Sequence, residues 1–456
     1  MDRQAAQKKI SPAFDPFLEE SGPNDRQDAI VIYRAPISSF RPEQSRLRER
    51  QTRLEYVEER AAVQKLVQER LFDSYRAECT KRRPGEGELR ASAIGGSSLP
   101  VAAVEITRRT LPALASEPDV VAIMPNQKIR LISPSQVEYA DLTKRQVEAG
   151  VTWGIEQLEI PRIWEKTIGR NVNVAVLDTG VHGDHPVLAG RVKKFIVVDP
   201  LGRRIRVDRT FDSNQHGTHV CGTIAGGKTG EGVAVGVAPG ASLLVGGVLV
   251  GDATLRTLME GISWAVEAGT DIINMSLGFS YYEPLFAEVL DILIVQFGIL
   301  PVVAVGNGSH GSTCSPGNAH SAFSIGAVDQ AGRGKVDVAF FSSGASLVFP
   351  GRVPNELVIK PDVVAPGVDV YSCIPPDKRA SGTFEYSFMS GTSMAAPHAA
   401  GVAALLMESD REVPVPDIIE VMKETAHHPG GVDMRPDNRW GYGMIDPLEA
   451  IRALHS

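Results

Sequence analysis

Cysteine is scarce in this chain. Four residues (Cys79, Cys221, Cys314 and Cys373) are spread over 456 positions. That is too few and too scattered for a disulfide framework or a paired zinc motif, so they read as reduced, buried thiols. No stretch reaches the roughly 18 consecutive apolar residues of a membrane span, and no membrane partner is expected. Positive charge is not in excess: 47 Lys and Arg face 55 Asp and Glu, a formal net charge of -8, which argues against nucleic acid as a partner. The opening, "MDRQAAQKKISPAFDPFLEESGPNDRQ", holds no apolar run of signal-peptide length. These absences together predict a cytoplasmic protein.

What is present is ample apolar material, 43% of residues, in a chain long enough for two or more folding units. Residues 1–27 are polar and read as a flexible extension. Residues 28–135 read as a small α+β unit. "DAIVIYRAP" is a strand, and residues 42–79 form one long charge-laced helix with an apolar face. "LPVAAVEI" is a second strand, "TRRTLPALASEPD" a short helix, and "VVAIMPNQKIRLI" a last strand. A small open sheet with helices on one face is the natural solution. Residues 136–151 read as a polar linker.

From residue 152 to 456 the texture changes. Apolar β-branched runs ("VNVAVLDTG", "SLLVGGVLV", "DIINMSLG", "ILPVVAVGN", "AFSIGAV") alternate with helical segments. This predicts an α/β fold with a parallel sheet covered by helices on both faces. In such sheets ligands sit beyond the carboxyl ends of strands, which draws attention to Asp178, Ser276 and Asn307.

Each candidate has a bland reading. Asp178 could cap a turn, and Asn307 could be a strand-to-loop residue. His216 and His219 stand three apart in "NQHGTHVCGTIAG" without further His, Asp or Glu ligands nearby, so no zinc site is expected and His219 reads as a buried structural histidine. Ser393, in "MSGTSMAAPHAAG", could be a helix N-cap. It could instead be a nucleophile at a helix N-terminus, where the dipole favours developing negative charge. The combination carries more than its parts. Asp178, His216 and Ser393, with Asn307 between, follow the chain order Asp, His, Ser of one nucleophilic triad.

On the motifs "VAVLDTGV", "HGTHVCGTIAG", "INMSLG", "VVAVGN" and "GTSMAAPHAAG", residues 152–456 resemble the subtilisin-like serine peptidases. The resemblance implies that Ser393 is the nucleophile, His216 its base and Asp178 the group that orients the imidazole. The Asn307 amide and the Ser393 backbone N–H would bind the oxyanion. It further implies an extended peptide substrate pairing with Ser276, Leu277 and Gly278, with "GDATL", from Gly251, as the opposing wall. Gly278, Ala304 and Gly306 would shape a roomy first specificity pocket with no acid at its base. The order of elements in residues 28–135 is similar to subtilisin-type inhibitory propeptides. This implies a zymogen whose own N-terminal domain is an intramolecular inhibitor, with its last strand in the cleft and cleavage between Lys128 and Gly150.

No cofactor is required by this reading. The family's strongest calcium site is expected to be missing, because Val187 stands where an acidic ligand would be and Lys228 would repel a cation. Asp184 and Glu231 are possible calcium ligands elsewhere. The excess length of the charged helix offers either a solvated face or a docking surface for a regulatory protein. Two rival functions use the same residues: a catalytically silent binding protein on a peptidase fold, and a peptide ligase or macrocyclase working through the same acyl-enzyme. A cis bond is expected at Ser315–Pro316.

Overall fold

The computed structural model describes residues 6–455 apart from 35–41, 84, 86, 97, 135, 139–140, 280–282, 284, 333, 349–356 and 381. The first sheet is antiparallel, in the order β2-β3-β1-β4, from β1 (Gln27–Tyr33), β2 (Ala91–Ala93), β3 (Val101–Ile106) and β4 (Val120–Pro125). Side chains alternate along β1, as the pleat requires. Ala29, Val31 and Tyr33 join Val67, Leu71, Tyr75 and Leu114 beneath the sheet's own helices. Ile30 and Ile32 face the other way and share a core with Leu258, Met259, Ile262 and Phe286 of the second unit. Helices thus cover one face of this sheet, and the large unit covers the other.

The long helix runs over Arg50–Arg82, 33 residues, a rod of about 50 Å at 1.5 Å per residue. Its buried positions, including Arg53, Tyr56, Arg60, Gln64, Val67, Leu71, Tyr75 and Cys79, recur at the three-to-four spacing of a single face.

Three expectations need correction here. The opening segment is not a loose extension over its described part. Ile10 bridges to Ile123, Phe14 is fully buried, and the Ser11 hydroxyl donates to Glu283 at 2.5 Å; apolar residues within a polar context anchor it. The stretch "VVAIMPNQKIRLI" is not one strand either. β4 ends at Pro125, and the chain then leaves its sheet to form β5 (Arg130–Leu131) on the other unit. The segment read as a linker carries β6 (Gln136–Glu138) and a helix, Lys144–Ala149, closed by a Thr143/Gln146 capping box.

The second unit is built on parallel strands. These are β7 (Asn173–Asp178), β8 (Val192–Val198), β10 (Ser242–Gly247), β11 (Ile272–Met275), β13 (Leu300–Ala304), β14 (Phe323–Gly332) and β18 (Val363–Pro366). Their spatial order is β8-β10-β7-β11-β13-β14-β18. β9 (Arg204–Ile205) and β15 (Lys335–Val338) add antiparallel edges. Helices His216–Ala225 and Thr392–Ser409 pack on one face, and Leu255–Glu267 and Phe286–Asp291 on the other. Ser315–Pro316 is cis. Three smaller features lie outside this sheet: β12 (Leu277–Gly278), the hairpin β16 (Ala345–Val348) with β17 (Leu357–Lys360), and the long hairpin β19 (Val370–Arg379) with β20 (Gly382–Ser390). Residues 349–356, between β16 and β17, lie outside the described residues.

Candidate active site

Asp178 is the last residue of β7 and is fully buried. Its Oδ1 accepts the Thr179 backbone N–H at 2.7 Å, and Thr179 Oγ1 is held in turn by Asp212 at 2.6 Å. A carboxylate buried this deeply needs such donors. The remaining partner is His216, whose Nδ1–H donates to both Asp178 oxygens at 2.8 and 3.0 Å. His216 opens the helix His216–Ala225. A Cβ at the next residue, Gly217, would stand 2.1 Å from the Gly180 carbonyl oxygen; only glycine lets the helix start so close to the Asp178 turn.

Ser393 is the second residue of the helix Thr392–Ser409. The helix contains Pro397, deeper than the first turn to which a proline is best suited. The missing N–H there frees the Ser393 carbonyl, and the Ser276 hydroxyl takes it up at 3.2 Å. Asn307, just beyond β13, is clamped through its side-chain carbonyl. Thr392 N–H and Thr392 Oγ1–H both donate to Asn307 Oδ1 at 2.9 Å, which leaves the amide Nδ2 aimed into the cleft. Thr392 thereby fixes the orientation of the Asn307 side chain.

The cleft is filled by the chain's own residues 128–134. β5 pairs antiparallel with β12, Leu131 opposite Leu277 and Arg130 opposite Gly278, and Ile132 N–H donates to the Ser276 carbonyl at 3.3 Å. On the other side Lys128 bridges to Thr254, and Ile129 N–H donates to Ala253 O at 3.1 Å. The opposing wall is therefore Ala253–Thr254. Both residues lie within the stretch "GDATL"; Gly251, at its start, is in a left-handed turn at φ 71°, and the tail pairs with the residues after that turn.

Beyond Ser393 the chain continues as β6, which pairs with β20, Gln136 opposite Ser390 and Glu138 opposite Phe388. At the centre, Ser393 Oγ donates to the Ile132 carbonyl at 2.7 Å and Asn307 Nδ2 donates to the Ser133 carbonyl at 2.8 Å. His216 Nε2 has no hydrogen-bond partner among the described residues. A Cβ on Gly391 would lie 3.0 Å from Asn307 Nδ2 and 3.4 Å from Pro134 Cα, so the tail passes where a side chain would otherwise stand.

A cavity of about 790 Å³ opens beside the tail, lined among others by Gly278, Gly306, Ser312, Thr313, Cys314 and Ser343. Gly278 and Gly306 are where the sequence suggests. Ala304 is fully buried within β13 and does not line the cavity. Cys314 was not anticipated there; burial pushes its thiol up to about 12, and it presents neutral sulfur. No Asp or Glu lines this cavity among the described residues.

His219 is a buried neighbour with a structural part. It bonds the Val370 and Ser387 carbonyls at 2.9 and 3.2 Å, and burial lowers its pKa to about 3. At the expected calcium position the residues do not fit a cation, since Val187 is buried and apolar and Lys228 is a cation itself; Asp184 and Glu231, the candidates elsewhere, are exposed. No group of three or more His, Cys, Asp or Glu suited to a metal occurs among the described residues.

A family model described as the Subtilase family matches residues 169–443. The chain belongs to the subtilase family. M-protease of Shouchella clausii (strain KSM-K16) is 31% identical over 360 residues, covering 78% of this chain and 80% of that protein. The intracellular serine protease of Paenibacillus polymyxa is 36% identical over 282 residues, covering 60% and 77%. The crystal structure of fervidolysin from Fervidobacterium pennivorans aligns with a TM-score of 0.65 at 24% identity over 94% of this chain. That likeness concerns the fold alone, and this chain covers 61% of fervidolysin's length. The subtilase is a subtilisin-like serine endopeptidase, and its substrates are proteins or peptides. No described helix is long and apolar enough to cross a membrane.

Proposed function

We propose that this subtilase is made as a self-inhibited zymogen, with Ser393, His216, Asp178 and Asn307 as its catalytic group and residues 28–135 as its inhibitor. In turnover, Ser393 Oγ attacks the substrate carbonyl carbon while its proton passes to His216 Nε2. Asp178 holds Nδ1–H and stabilises the imidazolium. The oxyanion is met by Asn307 Nδ2 and the Ser393 backbone N–H. Collapse breaks the C–N bond, and the proton goes to the leaving amine. Water then repeats the sequence on the acyl-enzyme.

The observation that carries the inhibitory reading is a mismatch of register. Attack requires nucleophile and oxyanion donor to address one carbonyl. Ser393 Oγ instead meets the carbonyl of Ile132, and Asn307 meets that of Ser133. The tail fills the cleft as an extended strand but does not offer it a poised bond. The hydroxyl spends its proton on Ile132 rather than on His216. Cleavage within 128–150 then follows a shift of the tail into a productive register.

A cytoplasmic location is part of this reading. The printed name of the Paenibacillus polymyxa relative, "Intracellular serine protease", supports it.

The test is mass spectrometry of the purified chain beside its Ser393→Ala variant, both made in a protease-free host. The expected result is a chain cut between Lys128 and Gly150 and a variant of full length. Identical clipping of both removes Ser393 from the reaction.

A further inference from the structure

The Arg50–Arg82 helix is longer than a cover for a four-stranded sheet requires. Its second half serves the sheet, through Val67, Leu71, Phe72, Tyr75 and Cys79. Its first half, with the turn before it, lies on the peptidase unit. Leu47 is 2% exposed and sits against Gly298, where an added Cβ would stand 2.9 Å from the Leu47 Cβ. Tyr56 meets Phe297 with ring centroids 6.2 Å apart, and the Arg60 guanidinium lies 5.6 Å from the same ring centroid.

At the middle of this contact the Arg53 side chain is fully buried. Its Nη1 donates to the Leu47 carbonyl at 2.7 Å and its Nη2 to Asp271 Oδ1 at 2.6 Å. Arg50 reaches Asp271 Oδ2 at 3.3 Å and the Asn171 carbonyl at 2.8 Å. Asp271 immediately precedes β11 and also accepts the Asn173 N–H at 2.8 Å. It therefore stands at the amino ends of β7 and β11, opposite to the strand ends that carry Asp178 and Ser276. Burial alone would push the Asp271 carboxyl up, but the charges of Arg53 and Arg48 outweigh it and hold it below its usual range.

We infer that residues 44–60 are a latch, an interaction surface whose partner is the peptidase face of Asp271, Phe297 and Gly298, and that it keeps the N-terminal domain bound after the chain is cut. This rests on the inhibitory reading above. The domain is then held at the tail in the cleft, across its sheet face on Leu258, Ile262 and Phe286, and at the latch on the edge opposite the cleft. A tail that lets go is returned by the tether at high effective concentration, so one cut does not free the enzyme.

The test uses the full chain carrying Ser393→Ala and a recognition site for an exogenous sequence-specific peptidase in residues 139–143. After nicking, dissociation of the N-terminal fragment is followed by gel filtration over time. The fragment should stay bound in the otherwise unsubstituted chain. Arg53→Met, which leaves Asp271 without its closest buried partner, should speed release about 100-fold, and Leu47→Ala should speed it independently. Glu69→Gln, on the exposed side of the same helix, should release at the unsubstituted rate. Circular dichroism of each un-nicked variant checks folding; if Arg53→Met does not fold, Leu47→Ala carries the comparison. One release rate for the unsubstituted chain and the folded latch variants overturns the latch. Because the nick is external and Ser393 is absent, that outcome is separate from any failure of Ser393 as nucleophile.

Discussion

The hydroxyl of Ser393 donates to the carbonyl oxygen of Ile132 at 2.7 Å. Two residues that lie 261 positions apart in sequence thereby leave His216 Nε2 unpartnered among the described residues. The His216–Asp178 pair is already assembled, at 2.8 Å, so the base is oriented before the nucleophile is available to it. On the proposed zymogen reading, activation turns on the position of the tail rather than on the triad.

Asn307→Ala should lower kcat about 10²–10³-fold. Its amide would meet a charge that exists only in the transition state, and Thr392 already fixes its orientation. Steady-state kinetics on a peptide substrate checks this; a rise in KM with kcat unchanged contradicts the role. Thr392→Val should lower kcat in the same sense by a smaller factor, since it removes one of two bonds to Asn307 Oδ1.

Ser276→Ala should destabilise the fold as well as slow the enzyme. The Ser393 carbonyl loses its helical partner to Pro397 and has the Ser276 hydroxyl instead. Leaving a buried carbonyl unmatched costs about 1–3 kcal/mol. Urea unfolding in the Ser393→Ala background, where self-digestion cannot interfere, should show a loss of that size. An unchanged midpoint would mean that water takes the place of the hydroxyl.

The parts of the site that were legible from sequence are those written in short contiguous motifs. "VLDTG", "HGTHV" and "GTSMAAP" each encode a strand end or helix start, and the parallel strands announce themselves by apolar β-branched runs. What escaped was set by contacts between distant residues. Arg53 and Asp271 are 218 positions apart, and nothing near Arg53 distinguishes it from the solvated arginines around it. The break after Pro125 was hidden because residues 120–132 keep strand-like composition while serving two sheets. The burial of Phe14 was masked by its polar neighbours.

Acid should destabilise the protein before its carboxylates titrate. Burial lowers His219 to about 3 and His398 to about 4, against an unfolded value near 6.5. Below that value the unfolded chain binds protons that the folded chain does not, so stability falls with pH from about 6.5 until the folded values are reached. Each histidine contributes about 1.4 kcal/mol per pH unit. Between pH 7 and 5 the two together should remove about 4 kcal/mol, read as a shift in urea midpoint of the Ser393→Ala chain. Equal midpoints at the two pH values would show that one or both become protonated without unfolding.

The N-terminal fragment 28–135 should inhibit the mature enzyme in trans, competitively with a peptide substrate. It carries its own core, with Val31, Tyr33, Val104 and Ile106 packed on Leu71 and Tyr75. Its opposite face, Ile30, Ile32 and Met124, matches the apolar surface of Leu258, Ile262 and Phe286 on the peptidase, worth about 25 cal/mol per Å² of apolar area buried. Two carboxylates extend the match. Glu260 accepts the Gly95 N–H at 2.6 Å and Glu267 the Gly96 N–H at 2.9 Å, and Arg204 pairs with both acids, so these acids stay compensated when the fragment is absent. Competition comes from the tail alone, through the strand pairing of Arg130–Leu131 with Leu277–Gly278. A fragment ending at residue 127 should therefore still bind but lose most of its competitive effect. If both fragments leave the rate unchanged at concentrations that saturate binding, the cleft-filling tail is not an inhibitor.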